Sequence, residues 1–467
     1  MEAILAAMRA AQGVEGISEG NASDDETRDD ATTTPAGEAG RHRAMQTVCA
    51  EFAASAGAWL GGRWYQHFES WLYSRRGGDA DADAFPRGED AERDAVLARK
   101  LRASGASDGE ATRICRRLAK ASENARRAAA SAEASTRFNA KANRVRRREF
   151  EVGGDKGVRK VELSCGKVKL EVNARHYAGL RRRFEGRADD EAFHRAAFCL
   201  LARYACLQGT HYKAGNMQAA VPTGVLDVLR GKFGVRCEMF ASPLNAYLEE
   251  YCSAVPATDR QFGSLGSAFD YEPEEGSFEC NPPFDEEFIS RLAGHLERLL
   301  AKNSKKPLSF CVIVPKWLES RGWKRMAKSV YCTSNTSLEA KEHAFISGAQ
   351  HSRVDQMTAS AAATSVIFLQ NRAGERKWPV TADAIDMIRA AFSPIKSHTP
   401  RDVEKWDPDA PLGLGTNTRR LPAGSKSWVY ASKRQSPADE TVETPAKKKK
   451  KSKKVANGAI SADFFRD

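Results

Sequence analysis

The 467-residue chain carries 73 Lys and Arg against 61 Asp and Glu, a formal net charge of +12, with 41% apolar residues. That is enough for two or three domains with cores of their own, and the charge favours a polyanionic partner, nucleic acid first. No run of 18 apolar residues occurs, which predicts no transmembrane helix and no membrane partner; ten cysteines without a C-x-x-C pair or a Cys/His cluster speak against a zinc site and for reduced core thiols in an intracellular protein.

Residues 1–45 are small and polar and read as disordered. From 46 to 74, Phe52, Trp59, Trp64, Tyr65, Phe68, Trp71, Leu72 and Tyr73 recur at roughly helical spacing, which predicts a core-packing helix in preference to a platform for stacked bases. Residues 76–90 form a Gly/Asp/Ala linker. Ala91 to Arg148 reads as helical and basic, and its one-signed run Arg144-Val-Arg-Arg-Arg148 predicts phosphate contact. Alternating segments at 159–163 and 167–172 around Ser164-Cys-Gly166 predict a β-hairpin. Helices are expected over 176–184 and 190–207, the second turning Phe193, Phe198, Leu201 and Tyr204 toward a core.

After Gly209 the pattern changes. A helix over 221–229, a buried strand over 235–240, a helix over 246–253, a short strand over 277–280 and an amphipathic helix over 285–300 follow in turn. Near-continuous apolar strands at 307–314 and 364–369 read as members of a parallel sheet covered on both faces. This alternation predicts a doubly wound α/β sheet from about 221 to 395, with ligands outside the carboxyl ends of its strands. The loops 241–245 and 281–284 then share one rim. Beyond about 400 the pattern is lost, and the basic run 447–454 suits a nuclear-localisation signal or a nucleic-acid tether.

The motif Asn281-Pro282-Pro283-Phe284, between a strand and a helix, carries a specific chemistry. The N6 amine of adenine is a poor nucleophile because its lone pair is delocalised into the ring. The Asn281 carbonyl can accept one of its N–H bonds and the Pro282 backbone carbonyl the other, favouring the pyramidal nitrogen of methyl transfer. Prolines hold that carbonyl in place, and Phe284 can stack on a splayed-out base.

Several stretches together resemble the phosphorylated-CTD-interacting-factor family of cap-specific adenosine N6-methyltransferases: 232–245, 251–259, 262–266, 276–284, 307–310, Ser347-Gly-Ala-Gln-His351 and 368–378. The resemblance covers about 200–395. It implies S-adenosyl-L-methionine as donor, with no metal, and a capped RNA polymerase II transcript as substrate, methylated at N6 of the first transcribed, 2′-O-methylated adenosine beside the 7-methylguanosine cap. It implies Asn281, Pro282, Pro283 and Phe284 as the catalytic loop, and Ala241, Ser242, Pro243 and Asn245, with Asn281, beside the donor. Glu286 is a candidate for the cap guanine, and Arg146 and Arg147 for the RNA. The C-terminal domain of the polymerase is the further partner implied, although Trp59, Trp64 and Trp71 are too closely spaced for the WW module that would bind it. The donor site also lacks a G-x-G-x-x-G fingerprint.

The expected fold is therefore α/β, a Rossmann-like methyltransferase core with an N-terminal mostly helical domain and disordered termini. Its segments are a disordered 1–45, a basic cap- or RNA-binding domain at 46–210 with a small hairpin, the methyltransferase domain at 211–397 and a disordered tail at 398–467. The expected site of action is the nucleus. Two other readings stay open: a catalytically inactive adaptor for capped RNA, and an adenine N6-methyltransferase acting on DNA or internal RNA sites.

Overall fold

Thr34 starts the first helix: its Oγ1 accepts the Gly37 N–H at 3.1 Å, and Pro35 opens α1 (Pro35–Ser55). The computed structural model describes residues 33–74, 85–86, 88–152, 157–186, 189–209, 214–353 and 357–393. Part of the stretch expected to be disordered is thus a helix, with Ala36, Ala39, Ala44 and Met45 buried. Its small residues carry almost no apolar periodicity, yet they let a second helix approach closely. A Cβ on Gly40 would stand 2.5 Å from the Ala132 Cβ. Residues 1–32 and the tail from 394 lie outside the described residues, as do 76–84 and 87 of the expected linker.

That second helix is α4 (Asp108–Thr136), opened by a capping box between Ser107 and Glu110. Between them run α2 (Trp64–Ser74) and α3 (Ala95–Ala103). The aromatic run packs inward, with Phe52 and Phe68 edge to face at 5.3 Å and Trp71 buried beside them. Next come β1 (Arg146–Val152), β2 (Val158–Cys165) and β3 (Val168–Asn173), an antiparallel sheet in that order. Two expectations change here. The helical reading of 91–148 fails after Thr136, where Asn143 closes a turn by donating to the Thr136 carbonyl at 2.8 Å and accepting from Ala36 N–H at 3.0 Å. The arginine run then enters a strand, and the hairpin gains a third member. Its charge is also answered locally: Arg147 pairs with Glu149, and Arg148 lies 3.8 Å from Glu162.

Helices α5 (Ala174–Arg183) and α6 (Asp190–Gln208) return the chain to the helical core, where Phe193, Phe198, Leu201 and Tyr204 are buried. Then α7 (Thr223–Phe233), β4 (Cys237–Ala241), β5 (Glu250–Ser253), β6 (Gly276–Cys280), α8 (Glu286–Lys302), β7 (Leu308–Pro315), α9 (Arg321–Ala327), β8 (Cys332–Leu338), β9 (Ala344–Ile346), β10 (Met357–Ala359), β11 (Thr364–Gln370) and α10 (Ala382–Phe392) follow. Six of the strands form one sheet, ordered β5-β4-β6-β7-β11-β8.

The class is α/β, but the sheet is mixed. β4, β5, β6 and β7 pair in parallel, whereas β11 runs antiparallel to both β7 and β8. An apolar strand covered on both faces reads the same in either direction, so its sequence does not encode which way it runs. The helix expected over 246–253 is also absent. The Glu238 carboxylate instead takes the N–H groups of Tyr247 and Leu248, both at 2.7 Å, and turns the chain into edge strand β5. Leu292, Leu296 and Leu299 of α8 pack on the face of Met239, Phe278 and Val312; Val225, Leu229, Ile388 and Phe392 of α7 and α10 cover Ile313, Val366 and Phe368 on the other. From β4 the chain moves outward to β5 and then crosses back to β6. The order therefore reverses between β4 and β6, and a crevice opens at their carboxyl ends.

Candidate active site

Strand β6 ends on Asn281-Pro282-Pro283-Phe284, and Asp285 stops the loop by capping α8, accepting the N–H groups of Glu287 and Phe288 at 3.1 Å each. Burial raises the Asp285 carboxyl above its ordinary range, opposed by the Phe288 N–H and by Lys100. Asn281 is itself buried, and its Nδ2 donates to the Ala219 carbonyl at 2.8 Å. That bond orients the amide. Its Oδ1 is buried with no hydrogen-bond partner, a costly state for an acceptor unless a ligand completes it.

The loop after β4 forms the facing wall. Asn245 Oδ1 accepts from Ser242 N and Ser242 Oγ at 2.8 and 2.9 Å, and Asn245 Nδ2 donates to the Gln218 carbonyl at 3.3 Å. Between the two loops lies a cleft of about 850 Å³, solvent at its mouth included. Ala241, Ser242, Asn245, Asn281 and Pro283 all line it. Pro243 and Pro282 sit in the same two loops without reaching its wall. Phe284 packs edge-on against Phe345, with ring centroids 5.7 Å apart, rather than facing the cleft. Glu286 is exposed in the first turn of α8. Arg146 and Arg147 stand on β1 away from the cleft wall, the second over the Tyr177 ring at 5.3 Å.

The rest of the lining was not singled out by the sequence. At one end Phe240, Phe269 and Phe288 meet with centroids 5.2–6.1 Å apart, and the Arg291 guanidinium covers Phe269 at 3.8 Å. Phe288 and Arg291 share the face of α8 next to the motif, a spacing of three that was available to find them. At the other end stand Tyr73 and Tyr204, from α2 and α6. The Tyr204 hydroxyl donates to the buried Asp259 carboxylate at 2.7 Å. Burial pushes Asp259 up to about 6, against the pull of Ser253, Tyr204, Thr258 and the Val255 N–H. Among the described residues no group of three or more His, Cys, Asp or Glu is arranged to hold a metal ion.

Gly348, in the stretch Ser347-Gly-Ala-Gln-His351, is packed against the turn that carries Ala219. A Cβ there would collide with the Gly215 carbonyl oxygen and come within 2.7 Å of the Gln218 backbone. Gly348→Ala is expected to displace this turn and loosen Asn281, read as faster amide hydrogen exchange of the 214–221 backbone than in wild type.

Residues 177–348 match the family described as "Phosphorylated CTD interacting factor 1 WW domain". Two relatives named "mRNA (2'-O-methyladenosine-N(6)-)-methyltransferase", from Homo sapiens and Mus musculus, are each 42% identical to the chain over 212 residues. Over 177–348 the chain is thus similar to the phosphorylated CTD interacting factor family. The aligned part is 44% of this chain and 30% of each relative, so the chain spans about a third of their length. The family segment takes in α6, most of α5 and the strands β4 to β9, with Asn281-Pro282-Pro283-Phe284 inside it. Helices α1 to α4, which supply Tyr73 to the cleft, lie outside it.

Proposed function

We propose that this cleft is the active site of a Rossmann-like methyltransferase that moves a methyl group from S-adenosylmethionine to N6 of the first transcribed, 2′-O-methylated adenosine of a capped mRNA. The observation that carries the reading is the buried, unpartnered Oδ1 of Asn281 at the switch point of the sheet. The relatives' name supports the substrate, and the family's name supports the polymerase C-terminal domain as a further partner. The basic charge and the run 447–454 favour the nucleus as the place of action.

The cleft fits the donor in its distribution of groups. The half-buried rings of Phe240, Phe269 and Phe288 suit an adenine, and Ser242, Asn245, Ser253 and Ser267 supply polar contacts for the rest. When bound, S-adenosylmethionine supplies a methyl group activated by a positively charged sulfur. Asn281 Oδ1 accepts one N–H of the exocyclic amine. This acceptor turns the nitrogen lone pair outward and strengthens as positive charge grows on nitrogen, so it stabilises the transition state more than the ground state. The nitrogen becomes acidic as it gains the methyl, and one proton leaves to solvent without a dedicated base. Glu286, exposed in the first turn of α8, is available to accept from the guanine edge of a cap.

The test uses purified protein, labelled donor and four RNAs, capped or uncapped, each starting with A or G. Label on the capped A-start RNA alone is the expected result. Label on both A-start RNAs would replace the cap-adjacent reading by a cap-independent adenosine methyltransferase. RNA bound but never labelled would favour an adaptor.

A further inference from the structure

We infer that Glu69, on α2 and outside the family segment, is a positioning residue for Asn281. The inference rests on the catalytic reading of Asn281 proposed above, and the contacts that carry it are independent of that reading.

Glu69 is 1% exposed. Its two carboxyl oxygens each take a backbone N–H, one from Gly215 and one from Asn216, the latter at 3.2 Å. Gly215 has φ +107, a conformation that favours glycine and that aims successive N–H groups at the carboxylate. These two residues begin the short 3-10 turn Asn216–Gln218. The turn ends in the two carbonyls that order the site: Gln218 O, which receives Asn245 Nδ2 at 3.3 Å, and Ala219 O, which receives Asn281 Nδ2 at 2.8 Å. Ala220 then pairs with Ile346 through bonds of 2.9 and 2.8 Å, pinning the far side of the turn.

The path from Glu69 to Asn281 is therefore continuous: carboxylate, turn, Ala219 carbonyl, side-chain amide. The next residue of α2, Ser70, donates to Asp285 Oδ2 at 3.4 Å, behind the other end of the motif. One helix thus braces the catalytic asparagine's anchor and the cap that follows its loop. A carboxylate suits the task because it offers two acceptors to two donors; burial pushes Glu69 up to about 8, against the pull of the Gly215 and Asn216 N–H groups and of Arg353. A glutamine would offer one acceptor and turn its NH₂ toward an N–H.

Glu69→Gln is the conservative test and Glu69→Ala the severe one. In Glu69→Gln, kcat on capped A-start RNA should fall about ten- to a hundredfold, with the donor Kd from calorimetry within about threefold of wild type. Hydrogen exchange of the 214–221 backbone should accelerate, and Glu69→Ala should be worse on both readouts. A role in folding alone would shift the thermal midpoint without splitting kcat from Kd. Glu69→Gln with kcat unchanged, or with exchange at 214–221 unchanged, overturns the inference. If wild type labels none of the RNAs, the functional reading has failed. The exchange measurement then still decides whether Glu69 orders the turn.

Discussion

Asn281→Ala is expected to lower the single-turnover rate of methyl transfer by about 10²–10³-fold, the usual loss when one preorganised polar contact to a developing charge is removed. Asn281 Nδ2 is already committed to the Ala219 carbonyl, so its Oδ1 is left without a partner at the end of β6. Alanine removes that bond and the unpartnered acceptor, while the loop keeps its prolines and the Asp285 cap on α8. The fold should survive, and RNA affinity should change by less than about threefold, since phosphate contacts supply most of it. Asn281→Asp separates the two jobs. It keeps an acceptor toward the cleft but sets a second oxygen against the Ala219 carbonyl, so its rate should lie between alanine and wild type. A rate for Asn281→Ala within about tenfold of wild type would falsify its role as an acceptor in the transition state.

Glu38→Ala should destabilise the protein by about 3–5 kcal/mol, the cost of leaving a buried charge without its partner. Glu38 and Arg203 have side chains only 1% and 5% exposed and are bound by two hydrogen bonds, the longer at 2.9 Å. Arg41 adds a third contact at 3.3 Å. Burial raises the Glu38 carboxyl, but Arg203 and Arg41 together outweigh it, and the net shift is downward. Truncation would strand the Arg203 guanidinium between α1 and α6 with Arg41 beside it. Urea unfolding measures this directly: a lower midpoint with an unchanged slope is expected. A midpoint equal to wild type would mean that water reaches Arg203 once Glu38 is gone. Of the residues lining the cleft only Tyr204 shares an element with this pair, so under the proposed function turnover well below the new midpoint should be retained.

Glu38 also shows where sequence reading stops. It lies in a stretch of Ala, Gly, Ser, Thr and acidic residues that reads as disordered because few of its residues are large and apolar. Its helix is held by what it meets elsewhere: α4 at the distance only Gly and Ala permit, and Arg203 from 165 residues away. Arg146 and Arg147 are the converse case. Their one-signed run reads as part of a basic helix, but it enters a strand, where Glu149 on the same strand pairs with Arg147 and Glu162 on the neighbouring strand lies beside Arg148.

The central motif was legible because all its parts are local. A short apolar strand, an asparagine, two prolines and an amphipathic helix with acids in its first turn follow one another within about 25 residues, and periodicity, capping and φ restriction act over that range. The same holds for β2 and β3, for α6 and for the loop 241–245. Tertiary structure alone decided the direction of β11, the strand character of 250–253 and the partners of the site. Glu69 reaches Gly215 across 146 residues and Ser70 reaches Asp285 across 215. Such contacts leave no period in the chain. They exist because closing a core brings distant buried polar groups together, and each must then find a partner or pay for its lost water. The sequence by itself determined which residues can do the chemistry; the packed fold determined which of them face the cleft and what holds them there.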